Sequence, residues 1–248
     1  MPSVSVFVTV HNREEFIREC IESVFSQTFA NFEICVCDDG STDKTPEILS
    51  ELQKKHNTKK EVLRIIRHKK QKGMSAAYTT ALSMCQGMYS AQLDSDDALY
   101  PHALEKLAAY LDATPTVGLV FSMCTVKDVL QSNQFDWNLW RGTSEETKKF
   151  LLTKGMTINH LRMFRRALLK GIAIQKDLTS AVDYDLYMQI AERTDIGFVA
   201  EPLYYYRLHE KNVSKPVPPF AHNPIQQLNA TLVKVRGARR RLQKVANG

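Results

Sequence analysis

Apolar residues fall in short runs broken by polar loops along most of the chain. The first run, Val4–Val10, is rich in β-branched residues and closes on His11-Asn12, which predicts a buried strand. From Glu14 to Gln27 the apolar positions Phe16, Ile17, Cys20, Ile21, Val24 and Phe25 recur at helical spacing. Phe32–Cys37 predicts a second strand, ending in DDGSTD. Ser41 or Thr42 can cap a helix over Thr45–Lys55, with Pro46 in its first turn. Val62–Ile66 predicts a third strand, Met74–Cys85 a helix, and Tyr89–Leu93 a fourth strand running straight into DSDD. A helix started by Pro101 and a strand over Val117–Cys124 continue the alternation. Strand and helix taking turns at this spacing predict an α/β fold, a mostly parallel sheet with helices on both faces.

The pattern loosens after Cys124. Phe135–Gly142 reads as a loop carrying Trp137 and Trp140, and MTINHLRMFRR mixes apolar with basic positions. Ala181–Glu192 has helical spacing with Asp183 and Asp185 in its first turn, and Ile196–Val199 predicts a last strand before YYYRLHE. Pro216, Pro218, Pro219 and Pro224 then end the compact part. The pattern predicts a single domain over 1–215, followed by a Pro-rich and then basic tail over 216–248.

Composition narrows the class. The five cysteines include no CxxC pair, and Cys35 and Cys37 alternate within an apolar run as small core residues; this usage fits a reducing cytoplasm. No apolar run approaches the roughly 20 residues that span a bilayer, and MPSVSVFVTVHN reads as a first strand and not as a signal peptide. The formal charge of +6 is concentrated beyond Glu210, where basic residues occur without a single acid. That stretch could meet anionic lipid or a polyanionic partner, or be a solvated helix end.

Ligands of parallel α/β sheets sit at the carboxyl ends of strands, and that is where the polar groups gather: His11-Asn12, Asp38-Asp39, and Asp94 with Asp96. Neither GxGxxG nor GxxxxGK[ST] occurs, which argues against a dinucleotide dehydrogenase or a P-loop enzyme. The D-x-D pair of Asp94 and Asp96 makes a hard oxygen site suited to Mn2+ or Mg2+ that borrows oxygens from a diphosphate. An acidic loop capping the next helix would look the same.

Three motifs in register carry a resemblance. VTVHNREEFIRECIESVFSQTFANFEICVCDDGSTD, KGMSAAYTTALSMCQGMYSAQLDSDD, and AVDYDLYMQIAE followed by YYYRLHEKNVS resemble the inverting family 2 glycosyltransferases with the GT-A fold. INHLRMFRR and the last two segments resemble the glucuronosyltransferase module of bacterial chondroitin and hyaluronan synthases. The resemblance implies a Rossmann-like nucleotide-sugar half over 1–98 and an acceptor half over 99–215. It implies that Thr9, His11 and Asp39 hold the uracil and ribose of a UDP-sugar, that Lys72 and Gly73 cover the nucleotide, and that Asp94 and Ser95 face the ribose and sugar. Asp96 and His209 would bind the metal. Asp183 falls at the catalytic base, with Asp185 as its competitor. Lys72 and Arg207 are candidates for the phosphates, His160 for the donor sugar or acceptor, Arg162 or Arg165 for a donor carboxylate, and Trp137 and Trp140 for stacking on an acceptor sugar.

The implied activity is metal-dependent transfer from a UDP-sugar, UDP-glucuronic acid first, onto an oligosaccharide or lipid-linked glycan. Another UDP-hexose or UDP-N-acetylhexosamine, or a non-catalytic UDP-sugar-binding module, are the alternatives. The expected location is cytoplasmic or peripheral at the membrane, with the basic tail touching lipid or a partner transferase. No nucleic acid is expected, since no recognition motif accompanies the arginine cluster.

Overall fold

The computed structural model describes residues 2–56, 63–128, 134–137, 142–158, 160–212 and 224–246. Strands β1 (Val4–Val10), β2 (Phe32–Asp38), β3 (Leu63–Arg67) and β4 (Tyr89–Gln92) pair in parallel, in the order β3-β2-β1-β4. Helices α1 (Ile17–Phe25), α2 (Thr45–His56) and α3 (Met74–Met84) make the crossovers. Period-2 alternation sorts the strand side chains onto two apolar layers. Val4, Val6, Val8 and Val10 pack with α1 and α2, while Phe7, Cys35 and Cys37 pack against Ala77, Tyr78 and Ala81 of α3. The two cysteines thus share one face as expected, and all five cysteines are buried free thiols.

The rest of the sheet changes direction. After a two-residue strand β5 (Ala98–Leu99) and helix α4 (Ala103–Ala113) come β6 (Val117–Asp128), β7 (Gln134–Trp137), helix α5 (Ser144–Thr153) and β8 (Arg162–Arg165). Strand β8 runs antiparallel to both β4 and β6, so the described residues form one nine-stranded sheet that is continuous from the parallel half into the second half. Helix α6 (Val182–Ala191) follows, then β9 (Asp195–Leu208), which takes in the whole YYYRL segment and pairs in parallel with β6. The loop expected over Phe135–Gly142 is therefore partly strand, and Trp140 lies outside the described residues.

The basic segment expected to be a tail contains a 23-residue helix, α7 (Pro224–Ala246). Val233 is fully buried, and Gly237 lies so close to Met188 that a Cβ there would come within 2.3 Å of its sulfur. Arg236 makes two hydrogen bonds to Asp177, Arg241 reaches Glu192 at 3.1 Å, and Arg240 lies 3.5 Å from Asp185 and from Glu192. The arginine cluster is the counterion of acids on and beside α6. Among the described residues no helix is long and apolar enough to cross a membrane.

Candidate active site

The carboxyl ends of β1, β2 and β4 lie side by side, where parallel α/β sheets form their ligand crevice, and backbone geometry explains which residues gather there. Asn12 adopts a left-handed φ of 53°, accepts from Thr42 N–H at 2.8 Å through Oδ1, and donates its own N–H to Ser41 Oγ at 2.9 Å. That ties the loop after β1 to the DDGSTD loop after β2. Gly40 has φ +71°, and a Cβ on it would sit 2.6 Å from Gln71 N and Lys70 C. The glycine lets the 68–73 loop lie directly on DDG.

Asp39 exploits that closeness. Oδ1 accepts from His68 Nδ1 at 2.6 Å and from Lys72 N–H at 2.9 Å, while Oδ2 accepts from Gly73 N–H at 2.8 Å. His11 Nδ1 lies 3.0 Å from the Asp39 carbonyl oxygen. Thr9 is half-buried near the end of β1, and the Lys72 side chain is exposed. Asp39, Lys72 and Gly73 are thus joined, with Asp39 nearly enclosed and organising the loop.

The three acids of DSDD separate into three tasks. Asp94 Oδ1 accepts from Gln92 Nε2 at 2.8 Å, and Oδ2 faces His160 Nε2 at 3.1 Å. Burial alone would raise its pKa, but His160, Gln92 and Arg162 outweigh that and hold Asp94 well below the usual carboxylate range. His160 itself stacks on Tyr204, with ring centroids 4.7 Å apart. Asp96 Oδ2 lies 3.2 Å from His209 Nε2 and 3.2 Å from Arg13 Nε. Asp97 is buried under the strand end, accepting from Tyr204 hydroxyl at 2.7 Å and from Arg207 N–H at 2.8 Å. Burial and its two acidic neighbours push its pKa up. Ser95 is buried between them. The acids of DSDD are therefore held apart by a histidine, an arginine and a set of buried donors.

Asp96 and His209 come from segments 113 residues apart, and their convergence supplies one carboxylate and one imidazole. Stacking on Phe16 at 4.3 Å orients the imidazole. Among the described residues no cluster of three or more His, Cys, Asp or Glu could enclose a metal alone. This donor set fits a Mn2+ or Mg2+ ion that completes its shell with diphosphate and water oxygens. Arg13, which the sequence reading did not single out, is the basic side chain at this point. It also donates to the carbonyls of His11, Asn12 and Lys211. Arg207 is used elsewhere: buried, it pairs with Glu19 of α1 at 2.7 Å and donates to the Asp97 carbonyl.

On the far side of Asp94, the first turn of α6 presents Asp183. Its side chain is 28% exposed, and its Oδ2 accepts from Arg162 Nη1 at 3.0 Å. Arg162 is buried; burial opposes its charge, yet Asp183 and the surrounding acids raise its pKa above the ordinary value. Asp185, two residues on, faces away from the crevice. It is fully buried, accepts from Gln189 Nε2 at 2.9 Å, and meets Arg240 of α7. Burial raises its pKa. Asp185→Asn should therefore leave substrate turnover within about threefold of the natural chain while lowering its melting temperature, since an amide there keeps a partner in Gln189 but gives up the charge that meets Arg240. Parallel thermal melts and activity assays check this. Arg165 donates to the carbonyls of Val117 and Leu111 and lies under Tyr89, at the opposite end of β4 from Gln92.

A parallel nucleotide-binding-type half, an antiparallel strand leading to an acidic helix, and a D-x-D turn between them define a GT-A glycosyltransferase. The chain belongs to Glycosyl transferase family 2, whose sequence profile matches residues 5–172, more than half of its length. It is 34% identical over 220 residues to the chondroitin synthase of Escherichia coli, covering 86% of this chain and 30% of that protein. It is 30% identical over 220 residues to the hyaluronan synthase of Pasteurella multocida, covering 86% of this chain and 21% of that one. The chain thus spans less than a third of these curated relatives. Among solved structures, S. aureus TarS 1–349 in complex with UDP-GlcNAc superposes with a TM-score of 0.71 at 25% identity, over 93% of this chain and 66% of the other. A mannosyltransferase from Pyrobaculum calidifontis in complex with GDP-Man and Mn2+ shares the fold, with a TM-score of 0.62 at 20% identity, over 100% of this chain and 76% of the other.

Proposed function

We propose that the chain moves a sugar from a UDP-sugar to a glycan hydroxyl in one inverting displacement, aided by a divalent metal. The observation that carries this reading is what flanks Asp94: the Asp96–His209 pair two residues along the D-x-D turn, and the half-buried acid Asp183, joined to Asp94 through Arg162 and Gln92. A diphosphate belongs beside the first and an acceptor hydroxyl beside the second. Asp183 takes the proton from that hydroxyl as its oxygen attacks the anomeric carbon. The new C–O bond forms as the bond to the diphosphate breaks, and the electron pair leaves with UDP. A metal held by Asp96 and His209 would relieve charge on the departing diphosphate, and the Arg13 guanidinium adds a fixed cation at the same place. Thr9, His11 and Asp39 face the nucleoside, with Lys72 and Gly73 in the loop over it.

UDP-glucuronic acid is the first donor to test, because the chain resembles chondroitin and hyaluronan synthases at 34% and 30% identity. UDP-GlcNAc is the second, following the TarS complex. Arg162 and Arg165 are both engaged within the protein, so a donor carboxylate would have to find its cation elsewhere in the crevice. The test is UDP release from a panel of both donors plus UDP-glucose, UDP-galactose and UDP-GalNAc, with amino-sugar-ended oligosaccharides as acceptors. Acceptor-stimulated release from one donor supports the reading. Tight UDP binding without turnover of any donor contradicts it, and points to a binding module.

A further inference from the structure

Gln92 closes β4 and is buried, and its side-chain amide has four partners. The nitrogen donates to Asp94 Oδ1 at 2.8 Å and to the Tyr78 hydroxyl at 2.7 Å. The oxygen accepts from the Tyr187 hydroxyl at 2.8 Å and from Arg162 Nη1 at 3.4 Å. A primary amide has two N–H donors and two acceptor lone pairs, so all of its capacity is used and its orientation is set. Arg162 stands opposite Gln92 in the β4–β8 ladder and extends the same Nη1 to Asp183. Its guanidinium also lies over the Tyr187 ring, 5.0 Å from the centroid. Tyr187 follows Asp183 by four residues, one turn along the same face of α6. The first two turns of that helix are therefore tied to the D-x-D strand at two points, both through Gln92.

We propose that Gln92 is a positioning residue: acting through Arg162 and Tyr187, it holds Asp183 in register with Asp94, the carboxylate that faces the donor. This rests on Asp183 being the base of the reaction above. A chain of satisfied buried hydrogen bonds is stiff, and stiffness is what a base needs when an error of about 1 Å can cost roughly a hundredfold in rate.

The test uses the full chain and the donor–acceptor pair that the UDP-release panel turns over. Gln92→Met and Arg162→Met are each expected to lower kcat about a hundredfold, with UDP affinity within about twofold of the natural chain; in Arg162→Met, which leaves Gln92 on Asp94, donor KM should hold as well. Their double variant should fall well short of the product of the two single losses, because both act on the one placement of Asp183. Arg162→Lys should recover part of the loss. Tyr187→Phe removes a single hydroxyl and keeps the ring, so it decides the matter if Gln92→Met does not fold; about tenfold in kcat is expected from losing one hydrogen bond. Natural kcat in Gln92→Met or Tyr187→Phe, or losses that multiply in the double variant, would overturn the proposal. If Asp183→Asn itself turned over normally, the assignment of the base would fall, and this proposal with it. Loss in Asp183→Asn beside normal turnover in Gln92→Met would overturn the proposal alone.

Discussion

Asp183→Asn should lower sugar transfer by about a thousandfold while leaving UDP affinity within about twofold of the natural chain. General-base catalysis contributes roughly a hundred- to ten-thousandfold, and an amide cannot take a proton at neutral pH. The substitution is nearly isosteric, and the Asn side-chain oxygen can still accept from Arg162 Nη1, which lies 3.0 Å from the natural carboxylate. The fold and the donor pocket should therefore survive, and the loss should appear in kcat. Steady-state kinetics beside UDP titration calorimetry separate the two quantities. Equal loss of UDP binding would show that Asp183 acts on the nucleotide and not on the acceptor. The contrast with Asp185→Asn sharpens the result, since the two acids share a helical turn but one faces the crevice and the other faces α7.

Asp96→Ala should be nearly as damaging as the loss of the base, and EDTA should reproduce it in the natural chain. A metal at a departing diphosphate is worth several kcal/mol, which at about 1.4 kcal/mol per tenfold is roughly a thousandfold in rate. In Asp96→Ala the remaining imidazole of His209 is a single ligand, too little to hold Mn2+ or Mg2+ against water. Arg13 also loses its carboxylate and would be drawn toward the diphosphate, so UDP binding should fall less than turnover does. Activity measured across a Mn2+ titration, for the natural chain, Asp96→Ala and His209→Ala, checks the order. Transfer indifferent to EDTA in the natural chain would show that Arg13 and its neighbours suffice for the leaving group.

The parallel half of the fold was legible because β1 and β2 are apolar, β-branched runs ended by turn signals, β3 and β4 recur in step with the helices between them, and each helix keeps its spacing. Strand β8 was not, because it stands outside that alternation and Arg162 and Arg165 leave only two apolar residues between them. Their burial makes sense only once Asp183, the carbonyls of Val117 and Leu111, and the rings of Tyr187 and Tyr89 are in place around them. Helix α7 was hidden for the same reason. Read alone, its arginines look like a solvated tail; the acids that neutralise them, Asp177, Asp185 and Glu192, lie well before it in the chain. Of the site, motif register singled out Asp96, His209 and Asp183, and the structure pairs the first two and presents the third to the crevice. Arg13 was overlooked although it directly follows the polar end of β1. Arg207, expected at the phosphates, lies beside an equally polar motif but turns inward to Glu19 and Asp97. Direction of a side chain across a strand end is a matter of twist and packing that one-dimensional pattern does not carry.

In the proposed reaction Asp183 deprotonates the acceptor on the face opposite the diphosphate, and transfer is a single displacement. Proton NMR of the product at early times, from an α-linked UDP-sugar and an oligosaccharide acceptor, tests it most directly. The β-anomer is expected from the first turnover, and is expected to disappear in Asp183→Asn. An α-linked product would contradict it.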